Sequence, residues 1–153
     1  MEMNRHLRAL SALFLLFACS AGPGTSLPQE APVTPKLEML DAQLLRDCVE
    51  MGGGVALIRV REVKASNQGT RGARVRIEFD QEQVLHGAVP RQAGFWSFGG
   101  PATAQVGQRL LIALKPGPAE AKDIGLLGFV PVPAGQEAEA VRLHQQALAS
   151  AAK

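Results

Sequence analysis

Few side chains of this 153-residue chain could act as nucleophiles or bases, and their spacing forms no catalytic pattern. Outside the N-terminal segment, which contains His6 and Cys19, the candidates are one thiol, Cys48, and two imidazoles, His86 and His144. A triad of Cys48, His86 and an acid can be written down, but no nucleophile motif and no metal-ligand spacing accompanies it. His144 falls in the apolar stripe of a helix, where a histidine with satisfied hydrogen bonds is more common than a ligand. We therefore expect no enzyme activity, no cofactor and no metal.

The N-terminus has the composition of an export signal. Its apolar run, residues 9–18, follows a short basic segment that contains Arg5, His6 and Arg8. A run of this length is about half of the ~20 residues that a membrane-spanning helix needs, so it fits a secretory signal better than a transmembrane anchor. The chain is therefore expected to leave the cytoplasm.

The end of the apolar run carries a further pattern, in which Leu16 and Ala18 precede Cys19. These residues resemble a bacterial lipobox, whose cysteine sulfur receives a diacylglyceryl group and becomes the start of the mature protein. The resemblance implies a signal peptide over residues 1–18, lipidation of Cys19, and a lipoprotein anchored in the bacterial cell envelope, facing the periplasm or the exterior. The alternative is secretion after cleavage nearby, without acylation.

Charge and cysteine content indicate which partners and which kind of domain the mature chain can have. Removal of residues 1–18 leaves 14 basic and 13 acidic side chains, so the formal charge falls from +2 to +1 and indicates no strong preference for polyanions. The remaining length suits one domain that buries a core without disulfides. With Cys19 acylated, Cys48 has no partner in the chain, and we expect it to pack as a small buried apolar group. A reactive Cys48 is the alternative.

Composition divides the mature chain into a tether and one folded domain. Residues 19–36 are expected to form the lipidated N-terminus and a flexible tether, because they are rich in proline and small polar residues and show no periodicity. The domain is expected to span residues 37–153 and to begin with a short amphipathic helix that ends at Gly52-Gly53-Gly54. The apolar positions at helical spacing are Leu37, Leu40, Leu44, Leu45 and Cys48.

From Val55 onward the hydrophobic period changes from about four to two, which predicts strands. Alternation from Ala73 to Gln83 indicates a half-buried antiparallel strand with a polar outer face. Three later runs, separated by glycine and proline clusters, read as further strands, and a helix is expected over residues 136–149. Those three runs are Gly94–Phe98, Arg109–Leu114 and Leu126–Val132. Five short strands predict a small sandwich or barrel, so the fold class is mainly β with flanking helices.

Charge and packing together select one register for the first hairpin. A register that sets Arg59 opposite Glu78 removes part of the like-charge pairing between arginines, and the same register sets Val60 opposite Ile77 on the buried face. We therefore predict the Arg59–Glu78 pairing.

Two stretches of the strand region share a pattern with a known domain type. They are the run from Val75 that ends Val84-Leu85-His86-Gly87, and the later segment Gly107-Gln108-Arg109-Leu110-Leu111-Ile112-Ala113, with Phe98 between them. Over roughly residues 48–132 the chain resembles the tissue-inhibitor-of-metalloproteinase/netrin-like version of the OB-fold. The resemblance implies a small five-stranded OB-like antiparallel barrel. The second cysteine that members often carry shortly before the position of Phe98 is missing, so no disulfide with Cys48 is expected. Metalloprotease inhibition is not implied, because Cys48 lies behind a tether and a helix.

Two surface features are candidates for binding a partner. A basic cluster is expected on the outer face of the first hairpin, near the surface that OB-folds use for ligands. An aromatic segment follows, in which strand alternation places Phe95 opposite to its neighbours, so that one aromatic side chain is left outside the core. The simpler alternatives are a solvated face balanced by carboxylates and a core role. The candidate surface consists of Arg59, Arg61, Arg74, Arg76, Trp96 and Phe98.

Together these patterns predict an exported, membrane-anchored lipoprotein that acts as a binding or structural module of the cell envelope. The expected partners are the membrane, through the lipid anchor, and an envelope protein or an anionic glycan. The compartment argues against nucleic acid. An envelope thiol enzyme or redox protein that uses Cys48, and a secreted inhibitor or carrier, are the alternative functions.

Overall fold

The computed structural model describes residues 35–66, 74–98, 104–118 and 120–152, and for Phe98 it describes the backbone alone. The predictions for the signal peptide, for Cys19, for the tether up to Thr34 and for the turns at residues 67–73 and 99–103 lie outside the described residues. Within the described residues, no helix is both long enough and apolar enough to cross a bilayer.

Hydrophobic alternation produces five antiparallel strands that form one sheet, ordered β3-β2-β1-β4-β5. The elements are α1 (Ala42–Glu50), β1 (Gly54–Ser66), β2 (Arg74–His86), β3 (Gln92–Phe98), β4 (Arg109–Leu114), β5 (Leu126–Val132) and α2 (Glu137–Ala151). The predicted class, mainly β with five antiparallel strands and two flanking helices, is confirmed. The sheet is not a closed barrel: in the described part of the chain, a single parallel bridge joins Gly94 of edge strand β3 to Asp123, in the segment that leads into edge strand β5.

Asp41 determines where α1 begins. Its Oδ1 accepts hydrogen bonds from the backbone N–H groups of Gln43 and Leu44, at 2.8 and 3.1 Å, and so satisfies two donors of the first helical turn. The helical pattern predicted from Leu37 is therefore wrong at its start. Leu37 and Leu40 precede the cap and pack against the core from a non-helical segment.

The curved sheet separates two apolar clusters. Inside the curve, the ring of Phe95 lies 6.1 Å from that of Phe79 and 6.0 Å from that of Phe129, which connects β2, β3 and β5. Outside the curve, α1 and α2 cover the first half of β1 together with β4 and β5, and bury Leu45 and Leu148. We call this outer region the helix-covered half. The charged half is the outer face of β2, β3 and the second half of β1, where the described side chains are mostly ionic.

Two glycines allow α1 to pack against the sheet. Gly52 follows the helix with a φ of +73°, a left-handed conformation that glycine adopts without steric cost. Gly128 lies on β5, where an added Cβ would come within 2.6 Å of Leu44 Cδ1. A side chain at Gly128 would displace the side chain of Leu44, which packs α1 against β5.

A β-bulge at Arg61 makes the predicted hairpin register wrong. The structure pairs Arg59 with Asp80 and Glu62 with Glu78, so Arg61 has no residue opposite it. The predicted Arg59–Glu78 pairing assumed an unbroken alternation. Instead, the core-facing positions of β1 change from even to odd numbers across the bulge.

Candidate functional site

Cys48 is a buried structural thiol in the helix-covered half. Its side chain is fully buried, and its Sγ lies 3.6 Å from the carbonyl oxygen of Leu114 and 3.7 Å from that of Gly54. Burial raises the pKa of the Cys48 thiol above its ordinary value, which disfavours the thiolate needed for nucleophilic attack. The predicted burial is confirmed, and the geometry gives thiol chemistry no support.

His144 connects α2 to the segment before α1. Its Nε2 accepts a hydrogen bond from the backbone N–H of Leu40 at 3.1 Å, and its Nδ1 lies 2.8 Å from the carbonyl oxygen of Ala140. An acceptor role for Nε2 requires the neutral tautomer with its proton on Nδ1. Burial lowers the pKa of the imidazole, in agreement with that neutral form. The prediction of a satisfied histidine is confirmed.

The remaining catalytic candidates are not brought together. In the stretches that the structure describes, no group of three or more His, Cys, Asp or Glu side chains is close enough to hold a metal ion. His86 lies at the end of β2, and the polar contacts of Cys48 are with backbone carbonyls rather than with an imidazole. A depression of about 560 Å³ beside α1 has an acidic rim and an apolar floor; it is lined by Asp41, Gln43, Leu44, Asp47, Glu50, Met51 and Leu127.

Glu78 is the centre of an ion-pair network in the charged half. Its carboxylate lies 3.1 Å from Arg61, 3.3 Å from Arg76 and 3.4 Å from Lys64. Hydrogen bonds from Arg61, then Arg76 and Lys64, hold the pKa of the Glu78 carboxyl below its ordinary value. The central part of the basic cluster is therefore neutralised from within the sheet.

A second network joins the charged half to α2. Glu82 accepts hydrogen bonds at 2.7 Å from both Arg59 and Arg109, and Arg109 also contacts Glu137 at 3.0 Å. Partial burial opposes ionisation of Glu82, but the hydrogen bonds from Arg109 and Arg59 outweigh it and lower the pKa of the carboxyl. Arg59 and Arg61, both in the predicted partner surface, thus serve internal ion pairs.

Arg74 and Trp96 form a different arrangement at the far end of β2 and β3. The guanidinium carbon of Arg74 lies 4.5 Å from the Trp96 ring centroid, and that of Arg76 lies 5.6 Å from it, within cation–π range. Arg76 also pairs with Asp123. Arg74 is exposed, and among the described residues its partners are the Trp96 ring and Ser66 Oγ, at 3.4 Å, rather than a carboxylate.

An opening of about 490 Å³ adjoins Trp96, where β3 and the start of β5 separate beyond the bridge from Gly94 to Asp123. We call this opening the seam; it is lined by Trp96, Ser97, Lys115, Ile124, Gly125 and Leu126. A smaller depression of about 250 Å³ contains Lys122 beside Arg76. Neither Lys115 nor Lys122 forms an ion pair within the described part of the chain. The volume of the seam lies in the range of small-ligand sites.

The structure therefore places three of the predicted surface residues together, namely Arg74, Arg76 and Trp96. The side chain of Phe98 lies outside the described residues. Sequence reasoning missed Lys115 and Lys122, which lie in the connection between β4 and β5. The positions of these two lysines follow from the strand order, in which β3 and β5 are the two edges of the sheet. Because the sheet curls, the connection that leads into β5 lies beside β3.

No known family model matches this chain, and no curated protein matches it in sequence. The geometry defines a mainly β domain that presents an arginine–tryptophan pair beside an open sheet edge.

Proposed function

We propose that this protein is an exported lipoprotein, anchored in the bacterial cell envelope through Cys19, whose β domain binds a carboxylate-bearing partner in the envelope. The N-terminal signal and the lipobox-like residues support the anchor. The stack of exposed Arg74 on Trp96 supports the binding role, and this observation carries the proposal.

The stack favours a carboxylate over a neutral sugar. A guanidinium held against a ring loses little freedom when a ligand binds, and its N–H groups can form two parallel hydrogen bonds to a carboxylate. Arg74 and Arg76 both lie against the Trp96 ring, so the ring holds the arginines and offers a sugar less free surface. Lys115 and Lys122 add positive charge nearby.

Intrinsic fluorescence tests the binding role, because Trp96 is the one tryptophan of the chain. We expect the full-length protein in detergent to show a saturable change in Trp96 emission with polygalacturonate, poly-L-glutamate or both. Comparison of the two probes distinguishes a glycan from a polypeptide source of carboxylates. The response should weaken at high salt, since exposed charges are screened.

Arg74→Ala should abolish this response. The matched control is Arg142→Ala, which removes another exposed arginine, one that lies on α2 and pairs with Glu139. The binding proposal fails if neither probe changes the emission, or if the two variants respond alike.

The anchor is tested separately with Cys19→Ser. Each buried methylene contributes ~0.8 kcal/mol to membrane attachment, so two or more acyl chains give durable binding. We expect the wild-type protein to fractionate with membranes and the variant to remain unprocessed or become soluble. An unchanged mature mass in the variant would contradict lipidation at Cys19.

A further inference from the structure

We infer that the seam receives an extended, acidic segment of a partner protein, which adds a strand to the edge of β3. The inference rests on the proposed carboxylate-binding role and names its partner class: a polypeptide rather than a glycan.

The backbone of β3 directs hydrogen-bonding groups into the seam. The N–H of Gly94 donates to the carbonyl of Lys122 at 2.9 Å, and the carbonyl of Gly94 accepts from the N–H of Ile124 at 3.0 Å. Backbone groups of a strand point to the same side at every second residue. The N–H and C=O of Trp96 therefore point into the seam, where they form no hydrogen bond with a described backbone group.

The opposite wall of the seam, at the start of β5, also directs backbone groups into the seam. The carbonyl of Gly125 accepts from the N–H of Lys115 on the β4 side, at 2.8 Å. The neighbouring residue, Leu126, then directs its backbone groups away from β4 and into the seam. The parallel ladder that begins at Gly94 thus stops after one rung, and such unpaired edges are templates for a guest strand.

Side chains around the seam specify the chemistry of the guest. Lys115 lines the seam, Arg74 stacks on its Trp96 wall, and Lys122 lies in the neighbouring depression. None of these three exposed cations has a carboxylate partner within the described residues, whereas the nearby Asp123 is paired with Arg76. The half-buried side chains of Ile124 and Leu126 offer apolar contact. A strand that alternates apolar with acidic residues matches both features. A glycan supplies the charge but lacks the repeating N–H and C=O groups.

The test uses a pool of synthetic octapeptides in which β-branched residues alternate with Asp, Glu, Ser or Thr. Each peptide is titrated into the full-length protein, and binding is followed by the fluorescence emission of Trp96. The peptide that binds most tightly is then resynthesised in two forms. One form is N-methylated at the odd-numbered residues and the other at the even-numbered residues, so that each form blocks the N–H groups along one of the two edges of the peptide strand. Methylation of an edge that pairs with the sheet should weaken binding at least about tenfold, as expected for one or two lost hydrogen bonds. If neither form binds more weakly, backbone pairing is overturned.

A pair of protein variants gives an independent readout. Gly125→Val places a side chain in the seam, where its Cβ would meet the flexible side chain of Lys115 at 2.9 Å, whereas Gly117→Val in the same connection meets nothing within 4 Å. Gly125→Val should weaken binding of the peptide about tenfold or more and weaken binding of polygalacturonate, which depends on Arg74, by less; Gly117→Val should change neither. If polygalacturonate binds in an Arg74-dependent way but no peptide in the pool binds, this inference is overturned and the proposed function stands. If neither the peptides nor the carboxylate probes bind in an Arg74-dependent way, the inference and the proposed function are both overturned.

Discussion

The two halves of the outer sheet face satisfy their polar groups in opposite ways. In the helix-covered half, the only polar or charged side chain among the buried described residues is His144, and backbone groups satisfy both of its nitrogens. In the charged half, exposed cations and carboxylates satisfy one another around Glu78 and Glu82.

This difference separates stability from recognition. Of the two outer halves, the helix-covered half contributes more to the free energy of unfolding, because each buried large side chain is worth several times an exposed ion pair. The charged half contributes little per residue, so its side chains can be arranged for a ligand without loss of the fold. Arg74 is the clearest example of a side chain available to a ligand, since its described contacts are with the Trp96 ring and the Ser66 hydroxyl rather than with a carboxylate.

The largest effect is expected in the helix-covered half. Leu45→Ala should lower the free energy of unfolding by about 2–5 kcal/mol, because Leu45 is fully buried under α1. The control, Met39→Ala, changes a side chain that is 39 % exposed and should cost less than about 1 kcal/mol. Chemical denaturation of both variants measures the difference. Equal losses would show that α1 does not pack as described.

A smaller effect is expected at His144. His144→Leu leaves the buried N–H of Leu40 without an acceptor and should cost about 1–3 kcal/mol. The pKa of His144 is lower in the folded than in the unfolded protein. The unfolded chain therefore binds the extra proton first, and stability should fall as the pH drops below the unfolded value of about 6.5. This part of the pH dependence should be absent in His144→Leu, as measured by denaturation at several pH values. A variant with the wild-type pH profile would refute the assignment.

Breaking an ion-pair network should matter less. Glu82→Gln removes the carboxylate shared by Arg59 and Arg109, and we expect a loss of less than about 1 kcal/mol, reduced further at high salt because Arg59 is exposed and Arg109 is partly exposed to solvent. Denaturation at low and high salt provides the test. A loss as large as that of Leu45→Ala would remove the distinction between the two halves.

The smallest effect on stability is expected for Arg74→Ala. The free energy of unfolding should stay within about 0.5 kcal/mol of the wild-type value, while binding of the carboxylate probes is lost. Denaturation and titration of the same preparation measure both quantities. A destabilised variant with intact binding would reverse the roles assigned to Arg74.

Much of the fold could be predicted from sequence because its strands are short and clearly bounded. The bounds of β4 and β5 agree with the prediction, since Pro116-Gly117-Pro118 and the flanking glycines separate two strongly apolar runs. The bulge at Arg61 could not be predicted, because the same alternation of residue types is compatible with an unbroken ladder. The start of α1 was missed because the apolar spacing continues through the cap at Asp41.

The candidate surface could be predicted only in part. Strand alternation places Trp96 opposite to Phe95, but the contact with Arg74 depends on the register between β2 and β3, in which Arg76 lies opposite Trp96. The seam depends on where the curled sheet stops closing. That point is set by the backbone near Gly94 and not by any sequence motif.

The proposed binding surface requires that Trp96 is accessible to solvent and lies in a positively charged environment. Collisional quenching of Trp96 fluorescence tests both requirements most directly. Iodide, an anion, should quench Trp96 more strongly than caesium, a cation, because the exposed guanidinium of Arg74 lies 4.5 Å from the ring centroid and attracts anions. Arg74→Ala should reduce the preference for iodide, and Arg142→Ala should preserve it. Equal quenching by both ions, or a preference that survives Arg74→Ala unchanged, would contradict the account.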